Sequence, residues 1–286
     1  MRYDCIYRRR YQHSIRTMCR LLKVSRSGYY DWHTRAESVR AVKNRQLTRL
    51  IQQLHLDSNG VYGARKIHRD LLELGEPCGR HRVARIMRKA GLKGCPKRRF
   101  RRYENAVPNH PVANNLLQQD FGAARMNERW SSDITYIWTR QGWLFLAIVM
   151  DLFSRRIVGW SMNKLISRHL VIDAMAMALG QRDKPQLHHS DRGSQYTSDD
   201  FRDLLKKHGI ECSMSGRGNC YDNAPVESFF SSLKRERVRR QTYKTRDEAK
   251  ADVFDYIECF YNRKRRHSTL GYISPVEFEN RSVGLN

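Results

Sequence analysis

The sequence predicts an α/β protein: an RNase H-like mixed five-stranded sheet with flanking helices, preceded by an all-α helix-turn-helix region. Three observations carry this. Residues 129–280 read strand, strand, strand, helix, strand, helix, strand, helix, an order that builds a mixed sheet with helices on its faces. Residues 12–92 carry apolar positions at helical spacing and no strand pattern. The basic excess lies in front: residues 1–110 hold 27 Lys/Arg against 8 Asp/Glu, whereas 111–286 hold 27 against 21.

The bulk properties agree. The 286 residues are 40% hydrophobic, enough for a core. The net charge of +25 suits a polyphosphate partner, and equally a solvated basic surface or a ribosome-like accessory protein. No run of about 18 apolar residues points to a membrane span, and the N-terminus "MRYDCIYRRR" lacks a secretion signal's apolar stretch. Seven scattered cysteines without a CxxC pair suggest reduced thiols in a cytoplasm.

We divide the chain into a helix-turn-helix region (1–92), a basic linker (93–128) and a core with a C-terminal helix (129–280). In the first, "SIRTMCRLLKV" places Ile15, Met18, Leu21 and Leu22 on one helical face, and Ser25 caps the next short helix. "NRQLTRLIQQLHL" and "YGARKIHRDLLELG" are helices, the latter ending at Gly75. After the turn "EPCG", "RHRVARIMRKAG" runs to Gly91. Val83, Ile86, Met87 and Ala90 form its apolar stripe, and Arg82, Arg85 and Lys89 share another face suited to phosphates and base edges. An ordinary basic surface helix is the plainer alternative. Residues 14–34 are a weaker copy of the same arrangement. In the linker, "KGCPKRRFRRY" is expected to track a phosphate backbone, and "ENAVPNHPVANN" is polar and proline-bearing.

In the core, "RWSSDITYIWT", "GWLFLAIVMDLF" and "RRIVGWSM" read as strands joined at Gly142 and Ser154. "SRHLVIDAMAMALGQR" is a helix capped at Ser167, "QLHHSD" a short strand, and "TSDDFRDLLKKHG" a helix capped at Thr197 and closed by Gly209. "IECSMS" is the fifth strand, and a helix starts near Asn223 to Pro225.

Asp133 sits within an apolar strand, where a carboxylate is costly unless paired or metal-bound. Asp191 ends the fourth strand, and Glu227 lies in the first turn of the last core helix. If strands one and four are neighbours, the three acids converge and need a cation between them. An all-oxygen set suits Mg²⁺, with Mn²⁺ as substitute, and not zinc. Lys234, seven residues past Glu227, shares its helix face and can meet a phosphate. Each acid also has a structural alternative: an arginine pair, a turn cap or a helix-dipole acid. Asp151 is read as organising the "DLFSR" turn, Asp222 as part of the loop, and Glu236 as facing away from Glu227. The loop "GRGNCYDN" is expected to admit a DNA strand. Of His188 and His189, one is expected to face the core and one the surface, where a phosphate contact is open to it. Cys78, His81, Cys95 and His68 fit no zinc spacing. "YNRKRRHS", with Arg265 and Arg266, reads either as a solvated helix end or, as we expect, as a DNA contact.

The stretches "WSSDITYI", "AIVMDLFSRRIVGWSM", "HHSDRGSQYTS" and "GNCYDNAPVESFFSSLKRE" resemble the retroviral-integrase-like DDE transposases. Between Asp133 and Asp191 lie 57 residues, and between Asp191 and Glu227 lie 35, the spacing of the D,D-35-E pattern. The ending "YIECFYNRKRRHSTLGYISPVEFE" is similar to that of the second reading-frame product, OrfB, of the insertion-sequence-three family. The likeness covers nearly the whole chain. It implies a polynucleotidyl transferase that holds two divalent ions on Asp133, Asp191 and Glu227. It implies strand nicking and 3′-hydroxyl strand transfer at insertion-sequence ends, on double-stranded DNA and as a homo-oligomer. It also implies an upstream OrfA-type product that supplies a helix-turn-helix and a zipper. The chain starts at its own Met1 and shows no sustained heptads, so we expect it to be one part of the working enzyme, acting in the bacterial cytoplasm. The rival readings are a DNA-binding repressor with an inactive core and an RNase H-like nuclease that cuts and never joins.

Overall fold

A computed structural model describes residues 2–96, 113–216 and 220–283. Most of the basic linker run and the tip of the "GRGNCYDN" loop fall outside these residues.

The first three helices, α1 (Arg2–Arg8), α2 (Ile15–Leu21) and α3 (Arg26–Thr34), close over a small core of Ile6, Met18, Cys19 and Tyr29. Ser25 caps α3 by accepting the Gly28 N–H. The arginine-rich opening conceals α1 from a periodicity reading, because only Ile6 of that helix is buried. Helices α4 (Val39–Asp57), α5 (Ala64–Glu73) and α6 (Arg80–Lys89) form a second unit. Ser38 starts α4 earlier than apolar spacing suggests, by accepting the Ala41 N–H. Val83, Ile86 and Met87 of α6 pack on Leu47, Ile51, Ile67 and Leu71.

The core sheet is built from β1 (Arg129–Thr139), β2 (Gly142–Asp151), β3 (Ile157–Asn163), β4 (Leu187–Ser190) and β5 (Glu211–Met214), in the spatial order β3-β2-β1-β4-β5. β1, β2 and β3 are antiparallel, while β4 joins β1 and β5 in parallel. Helices α7 (Arg168–Gln181) and α8 (Asp199–Lys207) cover one face over Trp130, Ala147, Val149 and Val158. α8 begins after Ser198 rather than at Thr197, and neither Ser167 nor Ser198 makes a side-chain cap bond. Gly159 is required where β3 meets α7, since a Cβ there would lie 2.2 Å from the Ala174 carbonyl oxygen.

Helix α9 (Ala224–Glu236) covers the other face. With it packs α10 (Arg246–Phe254), which runs on into a π-helical segment, Asp255–Tyr261. The wider π turn brings Tyr256, Ile257, Phe260 and Tyr261 inward. Helix α11 (Pro275–Val283) closes the chain, its Glu279 accepting from Arg156, Arg182 and Ser154.

The α4–α6 unit shares its apolar core with this second sheet face. Arg266 fastens it by bonding Asp70 and Glu73 of α5. The Tyr62 hydroxyl donates to the Lys264 carbonyl at 2.8 Å and accepts the Arg266 N–H at 2.9 Å. Arg265 lies beside it, bonding both oxygens of Glu236. Both arginines are only 8% exposed and engaged by carboxylates, so the expectation that they contact DNA is corrected. A basic run in sequence becomes buried structure once distant acids meet it.

Candidate active site

The geometry begins with strand register. Ser131 of β1 pairs with His189 of β4 in parallel. Two residues further along each chain stand Asp133 and Asp191. Because side chains alternate, both return to the same face on neighbouring strands. Asp133 lies within β1, and its Oδ1 accepts the Ile134 N–H at 2.7 Å. Asp191 follows the last residue of β4 and is open to solvent on one side, with its Oδ1 accepting the Gly193 N–H at 2.9 Å.

Glu227 reaches this edge through Asn223. The Asn223 amide donates to the Ser132 carbonyl at 2.9 Å, and its Oδ1 accepts from the Ser131 hydroxyl at 2.6 Å. These bonds pin the start of α9 beside Asp133, and Glu227 follows one turn later, half-buried. The sequence marked Asn223 only as the start of a helix; its side chain makes no cap bond to α9 and is spent on β1 instead.

Electrostatics ties the acids together. Burial first, and then the charge of Asp191, push the Asp133 carboxyl well above the usual range. Glu227 adds to that push, while the Ile134 N–H and Lys234 oppose it. Burial raises Asp191 against the pull of the Gly193 N–H, and burial raises Glu227. Among the described residues, no three His, Cys, Asp or Glu side chains stand as a finished metal cage. The fold brings Asp133 and Asp191 together, and Glu227 joins them by its field at longer range. Two neighbouring carboxylates of like charge, one half-buried and one open to solvent, nevertheless form an oxygen donor set that a divalent cation fits.

The strand leading to Asp191 is buried and its polar groups are mostly hydrogen-bonded. His188 and His189 are both fully buried, which corrects the expectation that one faces solvent. Alternation does send them to opposite faces, but β4 is an interior strand and both faces are covered. His188 Nε2 meets the Ser132 hydroxyl at 2.7 Å, and His189 meets Ser213 and Ser215. Burial lowers His188 to about 3 and His189 to about 4. The hydroxyl of Tyr196 is buried without a hydrogen-bond partner among the described residues, and it lies within the field of both aspartates.

The other acids are occupied. Asp151 accepts from the N–H groups of Asn127, Phe153 and Ser154, organising its turn. Asp222 accepts from Asn115 and Gly216. Glu236 is held by Arg265 and Tyr256.

Lys234 stands at the stretch of β1 that β4 does not pair. Its Nζ lies 4.6 Å from the centroid of the Tyr136 ring, and its charge reaches Asp133. On the α4–α6 unit, Arg85 and Lys89 line an open groove of about 700 Å³ with Arg45 and Arg49 of α4. The last two went unremarked in the sequence, although four-residue spacing puts them on one helical face. Arg82 donates instead to Asn44 and ties α6 to α4.

A sheet of this order, with paired aspartates on adjacent parallel strands, defines an integrase-type core, here joined to a helix-turn-helix unit. Family comparison agrees: residues 123–220 and 227–283 match the integrase core domain, and residues 42–100 match an HTH-like domain. Over 287 aligned residues the chain is 42% identical to transposase InsF for insertion sequence IS3A of Escherichia coli (strain K12), covering 99% of this chain and 100% of that protein. It is also 42% identical to the insertion element IS600 31 kDa protein of Shigella sonnei, over 92% of this chain and 98% of that one. The chain therefore belongs to the IS3 family of transposases. Solved structures similar to it include the HTLV-2 integrase catalytic core, at TM-score 0.43 and 17% identity over 54% of this chain and 96% of that one. The BIV integrase catalytic core matches at TM-score 0.42 and 20% identity, over 56% and 97%.

Proposed function

We propose that this transposase nicks DNA strands at insertion-sequence ends and joins the freed 3′-hydroxyl to target DNA, with Asp133, Asp191 and Glu227 as its catalytic carboxylates. The observation that carries the reading is the Ser131–His189 register, two residues beyond which Asp133 and Asp191 share one face at the edge of the sheet and Asp133 feels the charge of Asp191. The three acids would hold Mg²⁺, or Mn²⁺ in its place. When bound, a pair of such ions activates the attacking oxygen and stabilises the leaving one in an in-line displacement. The N–H groups of Ile134 and Gly193 orient the two aspartates. Asn223 holds Glu227 within reach. Lys234 offers its ammonium to a phosphate beside them.

In the first step a water oxygen bonds to phosphorus and the 3′-oxygen leaves, taking a proton to become the 3′-hydroxyl. In the second, that hydroxyl attacks a target phosphate and displaces the target's own 3′-oxygen. Neither step needs a covalent enzyme intermediate. Duplex DNA would lie along the groove of Arg45, Arg49, Arg85 and Lys89, holding phosphates by charge. A homo-oligomer on DNA, a bacterial cytoplasmic setting and an upstream OrfA-type partner complete the proposal. No described helix is long and apolar enough to cross a membrane.

The test is strand transfer on oligonucleotides carrying the element's ends, with and without the upstream product. Asp133→Asn should bind these ends as wild type does and lose joining by at least about a hundredfold, and EDTA should abolish the wild-type reaction. Full joining by that variant would refute the assignment. Cutting without joining would make the protein a nuclease, and binding without either reaction under every metal would make it a repressor.

A further inference from the structure

Three large aromatic side chains stand in the open where β1 runs into β2. Tyr136 is 56% exposed, Trp138 58% and Trp143 44%. Trp138 and Trp143 are cross-strand partners in the β1–β2 ladder, with ring centroids 4.8 Å apart and planes at 72°. Trp143 also meets Tyr136 at 5.1 Å and 84°. The three rings form a continuous patch, and an exposed patch of this kind marks a binding surface.

Cations surround it. The Lys234 Nζ sits over the Tyr136 ring; burial first, and then the charge of Arg239, lowers its pKa. Arg246 donates from Nε to the Trp143 carbonyl at 3.0 Å, and Arg140 is exposed at the turn. Exposed rings interleaved with positive charge are the composition that holds unpaired nucleic acid: bases stack on the rings while cations follow the phosphates. A protein partner would meet the same cations without phosphates to neutralise them.

Position supplies the rest. Alternation puts Tyr136 and Trp138 on the sheet face opposite Asp133. β4 ends at Ser190, so beyond Ser131 the edge of β1 is not paired by β4. Lys234 stands at that edge, reaching Asp133 by its charge and Tyr136 by contact. A strand whose phosphate meets these aspartates, and which is unpaired for a few nucleotides beyond them, runs toward the same edge. Its bases then lose their stacking partners. Passing Lys234, the strand reaches the three rings.

We infer that Tyr136, Trp138 and Trp143, with Lys234, form a stacking platform for unpaired bases of the DNA strand adjoining the scissile phosphate. This rests on the function proposed above, and its test uses binding alone, so the two fail separately.

The full-length chain is titrated, in EDTA, with a duplex whose end is a short unpaired oligo(dT) tail carrying 2-aminopurine, and with the fully paired control. Stacking tolerates any sequence, so the tail need not match an element end. Wild type should bind the forked DNA more tightly than the paired and change the 2-aminopurine fluorescence. Trp138→Ala should cut the forked advantage at least about fivefold, while Trp138→Phe retains most of it and paired-duplex binding stays level. Equal affinity of wild type for the two DNAs would overturn the inference. So would a Trp138→Ala variant that keeps the forked advantage, or one whose only change is a fall from dimer to monomer in sedimentation. The last outcome would assign the patch to contact between copies.

Discussion

At Asp133 an apolar strand accepts a carboxylate that burial and a neighbouring aspartate both disfavour. Removing that charge should help the fold while it harms the chemistry, the usual opposition at an active site. In EDTA at pH 7, Asp133→Asn is expected to melt about 3 °C above wild type. Added Mg²⁺ should raise the wild-type melting temperature and leave the variant nearly unmoved, which calorimetry would read directly. A variant melting below wild type in EDTA would mean the pair is not repulsive. Glu236 shows the reverse sign. Burial pushes its carboxyl up, but the hydrogen bonds and charge of Arg265 outweigh that and bring it down to about 2. A depressed carboxyl stabilises the folded chain fully above its ordinary pKa, near 4.5, and loses that contribution as pH falls toward 2. Acid unfolding followed by circular dichroism should show this limb in wild type and not in Glu236→Gln. That variant should already be about 3–5 kcal/mol weaker at neutral pH, because the buried Arg265 keeps Ser232 and His267 as partners but loses its counter-charge.

Strands and helices were the most legible level of the sequence. Period and length alone mark β1 to β5 and the helices between them, since each buries one face against a neighbour. What the pattern could not carry was the effect of neighbours. That both histidines of β4 are buried depends on β1 and β5 flanking it, which alternation within four residues does not reveal. α1 and the π segment are hidden for a related reason: one buries a single residue, and the other departs from the 3.6-residue period. Asp133 drew notice because a charge within an apolar strand is conspicuous locally. Arg265 and Arg266 were misread because their partners lie 29 to 196 residues away. Close packing of elements gives its own test at Gly159. Gly159→Ala drives a methyl into the α7 backbone, so β3 and α7 must separate. A loss of about 3 kcal/mol, or roughly 10 °C in melting temperature, is expected. An unchanged melting temperature would show that the two elements shift freely.

The whole molecule is held by a few buried polar ties between its helical unit and its sheet. Arg266 is the chief of these, and Arg266→Met removes its bonds to α5 while retaining most of its bulk. Hydrogen exchange should then quicken across α4–α6 and stay level in β1 and β2. Equal quickening everywhere would mean the variant unfolds globally instead of releasing one unit. The same fastening has a geometrical consequence. Tyr62, Arg266 and the shared apolar core tie the two units together, so in this structure the Arg85–Lys89 groove and the Asp133–Asp191 edge stand at one separation and one angle. If DNA occupies both, the protein itself is the ruler. The number of base pairs between the grip and the cut is a fixed dimension of the molecule, and a duplex lengthened or shortened between them has to bend or twist to fit.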